Sequence, residues 1–264
     1  MVLLVIGLVV SIGFERSEVS GHCLKTSISA YYYTPVHNYF VVALFGVGVS
    51  LFCLRGHTEI EDGLLNLAGM CAPIVALVPT PAPARGSCAS VPRSLEHQGA
   101  NIDNNITTLI VVGVLAGLIL AGLAVVKRVR ADGRLVGAWP PVVACVMYVL
   151  AAVVWIILML GFWVMDDDVF AENAHDAAAI AMFACIFFVV LLNASGYKRK
   201  KTKLSPLNPY VGVYLAMVAS VAIAVVARQS GWDYWVIFIE FALIMLFAVF
   251  WAIQTIELWD DGLR

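Results

Sequence analysis

The chain is short of charge. Only 13% of its 264 residues are Asp, Glu, Lys or Arg, where a soluble domain carries about a quarter. It also lacks the signatures of several chemistries. It has no Gly-rich phosphate loop, no Cys-x-x-Cys and no His-Glu-x-x-His, so neither nucleotide nor metalloprotease chemistry is indicated. The Gly-x-Ser-x-Gly elbow of a serine hydrolase is missing too. None of its five histidines pair at i, i+4, the spacing that sets two metal ligands on one helix face. With net charge −2 and a pI near 6.2, it has no excess of basic residues to draw a nucleic-acid partner. The sequence names no cofactor and no metal site.

Apolar sequence takes the place of charge. The chain is 62% hydrophobic, with a mean hydropathy of +0.91. Near-uncharged runs of about 18 residues or more recur along it, which excludes a merely apolar soluble core. The pattern predicts an all-α fold: one polytopic transmembrane helix bundle over 1–264. About eight spans are expected, near 1–14, 39–55, 63–80, 107–126, 140–165, 175–194, 210–227 and 232–256. The first is short for a bilayer at ~1.5 Å per residue. It has no basic n-region or convincing small-residue cleavage site, so a span is favoured over a signal peptide.

Residues 27–80 organise the rest. Two apolar runs flank a charged turn holding Arg55, His57, Glu59, Glu61 and Asp62, and a polar, aromatic stretch precedes them. This reads as a membrane helical hairpin with a wet inner turn and an aromatic outer collar. Pro73 falls inside its second helix, and Pro79, Pro81 and Pro83 end it. Gly113 and Gly117, four apart in the fourth span, have the spacing of close helix approach; two glycines in a glycine-rich chain are an equal alternative. Trp232, Tyr234, Trp235 and Trp259 bracket the last span as an aromatic belt.

Lys and Arg set the orientation. With the N-terminus in the cytoplasm, the inner loops and tail carry eleven of them and the outer loops five. That asymmetry needs an even number of spans and predicts cytoplasmic termini in a multi-pass protein of the plasma membrane. The inner run Lys198, Arg199, Lys200, Lys201, Lys203 is either a contact for anionic lipid headgroups or an ordinary topology signal. Cys23 and Cys88 are the two loop cysteines, both on the outer side, and a bridge between them is expected. Cys53, Cys71, Cys145 and Cys185 fall in spans as packing residues.

Ionisable residues within the membrane are the remaining chemistry. Glu240 lies roughly two turns inside the last span, where a carboxyl is expensive and normally faces the bundle interior. Phe247, Trp251 and Gln254 share its helix face. His175 and Asp176 open the sixth span from the same outer side, Asn193 follows on the face of His175, and His37 opens the second span. Glu240, His175, Asp176 and His37 form a candidate outer-leaflet polar site, suited to metal or acid–base chemistry. Helix capping by His175 and Asp176, with Glu240 as a structural hydrogen-bond partner, is the plainer alternative. Glu240 is expected to bond a polar group from the second or sixth span.

The segment SISAYYYTPVHNYFVVALFGVGVSLFCLRG, the His175-x-x-Ala178-Ala179-x-x-x-Phe183 opening and Glu240 with Trp251 carry a resemblance. In these the chain looks like a group of uncharacterised bacterial integral membrane proteins. Their layout is similar to the DRAM-like (damage-regulated autophagy modulator) six-helix membrane family, relative to which the fourth and fifth spans would be an insertion. The resemblance implies a polytopic membrane protein without a defined activity.

Three function classes compete. The first is a non-enzymatic structural, regulatory or lipid-associated membrane component, with the lipid bilayer and other membrane subunits as partners. The second is a ceramidase-like, metal-dependent membrane hydrolase, which needs clustered histidines this sequence lacks. The third is a small-solute or proton-coupled transporter using Glu240, although the internal repeat or interrupted helix pair of many transporters is missing. The first is preferred.

Overall fold

The computed structural model describes residues 2–19, 24–54, 56, 58–80, 98–130, 142–195 and 208–258. Cys23, Cys88 and the basic run Lys198, Arg199, Lys200, Lys201, Lys203 lie outside these. Among the described residues there are eight α-helices and no strand. They are α1 (Val2–Phe14), α2 (His37–Cys53), α3 (Glu59–Leu77), α4 (Gln98–Arg130), α5 (Val142–Val164), α6 (Asp167–Ala194), α7 (Pro209–Gln229) and α8 (Trp235–Leu258). A π-helical turn, Glu15–Val19, continues α1, and a 3-10 turn, Ser29–Tyr33, precedes α2.

Five segments are long and apolar enough to cross a membrane: Glu59–Leu77, Asn101–Leu123, Asn173–Ala194, Pro209–Gln229 and Trp235–Glu257. His37–Cys53 and Val149–Val164 are shorter apolar helices. The architecture fits a helical membrane protein, because a helix satisfies its own backbone where no water can. One boundary differs from expectation. The α6 helix starts at Asp167. His175 and Asp176 therefore sit about two turns inside the helix rather than at its start.

The chain divides into two compact units, Glu96–Phe170 and the remainder. In the smaller one, α4 packs on α5 through Gly113: a Cβ there would lie 2.5 Å from the Trp155 ring. Gly117 faces nothing within 4 Å, so the two glycines do not make a joint close approach. Phe162 and Phe170 meet edge to face at 5.4 Å.

In the larger unit, α3 starts with a capping box. The Thr58 hydroxyl oxygen accepts from the Glu61 N–H at 3.2 Å, and Glu59, Glu61 and Asp62 load the first turn with negative charge. Pro73 deprives the Gly69 carbonyl of its helical donor. That carbonyl faces Gly48 of α2, and the missing side chains let the two backbones touch. The α7 helix is capped by Asn208, whose side-chain oxygen accepts from the Tyr210 N–H at 3.0 Å. It ends in a Schellman motif: Gly231 N–H donates to Arg228 and Trp232 N–H to Ala227, with Gly231 at φ +75°. The turn leads into α8, and Arg228 lies 5.3 Å over the Trp235 ring. Leu8 and Ile12 of α1 share a core with Ile28, Tyr31, Val36, Phe40 and Ile237.

Candidate functional site

The site is built on an irregular segment, residues 24–36, most of which is buried. Ile28, Ser29, Ala30 and Tyr31 are each at most 6% exposed. Non-helical backbone inside an apolar bundle must find a partner for each peptide group. The Ile237 N–H, one of the donors left over at the start of α8, gives its hydrogen to the Thr26 carbonyl at 2.9 Å. About a turn further on, Glu240 Oε2 accepts the Ile28 N–H at 2.6 Å. The Tyr33 hydroxyl donates to the Thr80 carbonyl at 2.6 Å. The Thr34 hydroxyl closes the turn by donating to the Tyr31 carbonyl at 2.7 Å. The segment thus acts as a plug pinned between α8 and the end of α3.

His175 supplies the third attachment. In a continuing helix the Val75 carbonyl would accept from residue 79, but Pro79 has no N–H. The His175 ring meets the end of α3 one residue before that proline: Nδ1 lies 2.5 Å from the Val78 carbonyl oxygen. Carbonyl oxygens only accept, so Nδ1 carries a hydrogen. On the far side of the ring, Nε2 is 2.8 Å from Ser29 Oγ. Glu240 of α8 and His175 of α6 thus hold adjacent residues of the plug, Ile28 and Ser29; His175 is 2% exposed and Glu240 partly buried.

The expected site residues separate accordingly. Glu240 and His175 meet the same stretch of the plug, at the adjacent residues Ile28 and Ser29. Glu240 takes its direct partner, the Ile28 N–H, from the plug, not from the second or sixth span. Asp176 is exposed, and its charge acts on both Glu240 and His175. His37 turns elsewhere: its Nδ1 is 3.0 Å from the Tyr32 carbonyl oxygen, and its ring meets the Tyr32 ring edge to face at 4.2 Å. Among the described residues, no group of three or more His, Cys, Asp or Glu side chains is placed to hold a metal ion. Ser29 and the Val78 carbonyl escaped the sequence reading. The signal for the carbonyl was the end of α3 ahead of Pro79: Val78 is the C-cap, and its carbonyl has no helical donor.

A second pair of charges lies where α1 meets the plug. Glu15 and Lys25 are both buried and attract each other. Burial lifts the Glu15 carboxyl above its usual range and Lys25 opposes that shift. Burial lowers the Lys25 ammonium, and Glu15 opposes that in turn.

Further along α6, α7 and α8 lies another polar cluster. Tyr210 donates to Glu257 Oε2 at 2.6 Å. Asn208 donates to the carbonyls of Asn193 and Ala194 at 2.9 and 3.1 Å, helping close the end of α6. Gln254 is 0% exposed, and among the described residues neither of its side-chain polar atoms has a hydrogen-bond partner.

No family model matches the chain, and comparison with curated proteins and with solved structures gives no match either.

Proposed function

We propose that this chain is a non-enzymatic, multi-pass component of the plasma membrane, with a structural, regulatory or lipid-associated role. One observation carries the reading: the polar groups of the candidate site are engaged with the plug and the end of α3. Glu240 holds Ile28, and His175 holds Val78 and Ser29. Groups committed in this way fasten a bundle rather than wait for a substrate. In this proposal about eight spans place both termini in the cytoplasm, and the basic run from Lys198 to Lys203 lies at the anionic inner leaflet. The bilayer and other membrane subunits are its partners, and the layout is that of the DRAM-like proteins.

The test is chemical and topological. Purified protein should hold no stoichiometric zinc and should not hydrolyse ceramide. A periplasm-active reporter fused after Arg264 should be silent. Bound zinc with ceramide turnover would replace the proposal with the metal-dependent hydrolase, and a bright reporter would sink the topology.

A second reading, proton-coupled movement of a small solute, is supported by Glu240 and His175 meeting adjacent residues of the plug, Ile28 and Ser29. Proteoliposomes showing proton flux that vanishes in Glu240→Gln would favour it.

A further inference from the structure

The two sides of α6 differ in what they carry. At 100° per residue, His175, Ala178, Met182, Ile186, Val189 and Asn193 fall on one stripe, and all of them are buried. The opposite side holds Asp176, Ala177, Ile180 and Phe188, which are exposed, Ile180 by 70% and Phe188 by 53%. Isoleucine and phenylalanine suit contact with lipid. A carboxylate on the same side does not.

Depth makes that carboxylate costly. Asp176 lies inside the apolar segment Asn173–Ala194. Its neighbour His175 meets Ser29, and the adjacent Ile28 meets Glu240, so Asp176 and Glu240 sit at nearly the same level. Glu240 is five residues past Trp235, ~7.5 Å along α8. Trp235 belongs to the aromatic belt that marks the membrane boundary. Aspartate is too short to reach back to the headgroups as Lys and Arg do. An ionisable side chain at this depth needs a partner.

The apolar helices of this chain supply no cation for it. Residues 2–14, 37–53, 59–77, 101–123, 142–164, 173–194, 209–227 and 235–257 contain no Lys or Arg. Arg228, at the end of α7, lies over the Trp235 ring and so at the boundary rather than at the depth of Asp176. A second copy of the chain would bring the same helices. We infer that the exposed face of α6 docks a transmembrane helix of a different membrane protein, one that carries a Lys or Arg at the depth of Asp176, and that the two charges pair. The small side chain of Ala177 lets the two helices approach closely beside the pair. Ile180 and Phe188 give the contact apolar area further along α6.

The inference names the kind of partner that the proposed membrane component takes, and it rests on that reading. Its test uses the full chain, with a donor fluorophore after Arg264, reconstituted in phosphatidylcholine vesicles. The probe is a synthetic Leu-Ala transmembrane peptide that carries an acceptor and a single Lys ~7.5 Å inside one end. Energy transfer should show this peptide bound about tenfold more tightly than the same peptide without Lys. Asp176→Asn should remove the difference, and Asp176→Lys should prefer a peptide with Asp in place of Lys. Ala177→Trp should weaken binding, whereas Leu215→Trp, on an exposed position of α7, should not. Equal binding of the Lys and apolar peptides, an unchanged preference in Asp176→Asn, or equal effects of the two tryptophans would overturn the inference. So would self-association of the chain that disappears in Asp176→Asn, since the face would then serve a second copy. An alkaline carbonate wash separates the two ideas. A chain stripped from the vesicles is no membrane component, and the proposed function fails. A chain that stays embedded without preferring the Lys peptide loses only the docking face.

Discussion

Gly48 and Gly69 face each other so closely that a Cβ on either would lie 3.0 Å from the carbonyl oxygen of the other. The contact explains why α2 and α3 pair so tightly. Pro73 frees the Gly69 carbonyl from the helix ladder, and Gly48 offers that carbonyl a surface without a side chain. A leucine at position 69 would also meet the Phe52 ring, 3.1 Å from its Cβ. Gly69→Leu should therefore cost roughly 1–3 kcal/mol, the range for overpacking, read as a fall in Tm in detergent. Gly212→Ala, whose Cβ meets nothing within 4 Å, should cost nothing. Equal losses from the two would refute the backbone contact.

Glu240 should tolerate glutamine better than leucine. Glutamine keeps an acceptor oxygen for the Ile28 N–H, whereas leucine leaves that donor unpaired at about 1–3 kcal/mol. Hydrogen exchange at the Ile28 amide, together with Tm, checks this, and identical behaviour of the two variants would show that the bond does not matter.

Gln254 is expected to be replaceable at a gain. Its amide is buried without a partner, and methionine has nearly its length without the polar atoms. Gln254→Met should raise stability by about 1–3 kcal/mol. A lower Tm in this variant would mean that the amide is paired in the membrane-embedded protein.

Gly231→Ala tests the turn between α7 and α8. Nothing lies within 4 Å of a Cβ there, so the penalty comes from φ +75° alone. Roughly 1–2 kcal/mol should be lost, and less in Gly231→Asn, because asparagine accepts this conformation more readily. Unchanged unfolding in the alanine variant would contradict the left-handed turn.

The junction of α1 and the plug should weaken as pH rises. Burial lifts Glu15 above its ordinary 4.5. A group with a raised folded value contributes its stability below the ordinary value and loses it as pH climbs through the lifted one. The difference in Tm between wild type and Glu15→Gln should therefore change in the direction of wild-type loss between about pH 4 and pH 7. Lys25, lowered by burial, contributes in full above its ordinary 10.5 and loses that as pH falls through the lowered value. A Tm difference that stays flat across the acidic window would show that Glu15 is hydrated.

By itself the sequence determined the helical class, because apolar runs without charge have few other ways to satisfy their backbone. It also marked Glu240 and His175 as costly groups needing partners, and it carried the cap at Thr58 and the proline inside α3. These are local facts, set by residue type and by spacing within one turn or one span. What only the tertiary structure decided was the company those groups keep. Composition marks residues 24–36 as a polar loop, yet the chain folds that stretch into the bundle, where Ile28 and Ser29 meet a carboxyl and an imidazole from helices far apart in sequence. His37 has the same ring as His175 and a place in the same candidate set, but it lies against its own neighbour Tyr32. No spacing rule separates the two histidines. The difference comes from the end of α3, which leaves the Val78 carbonyl without a helical donor, and from the packing that puts His175 within reach of it.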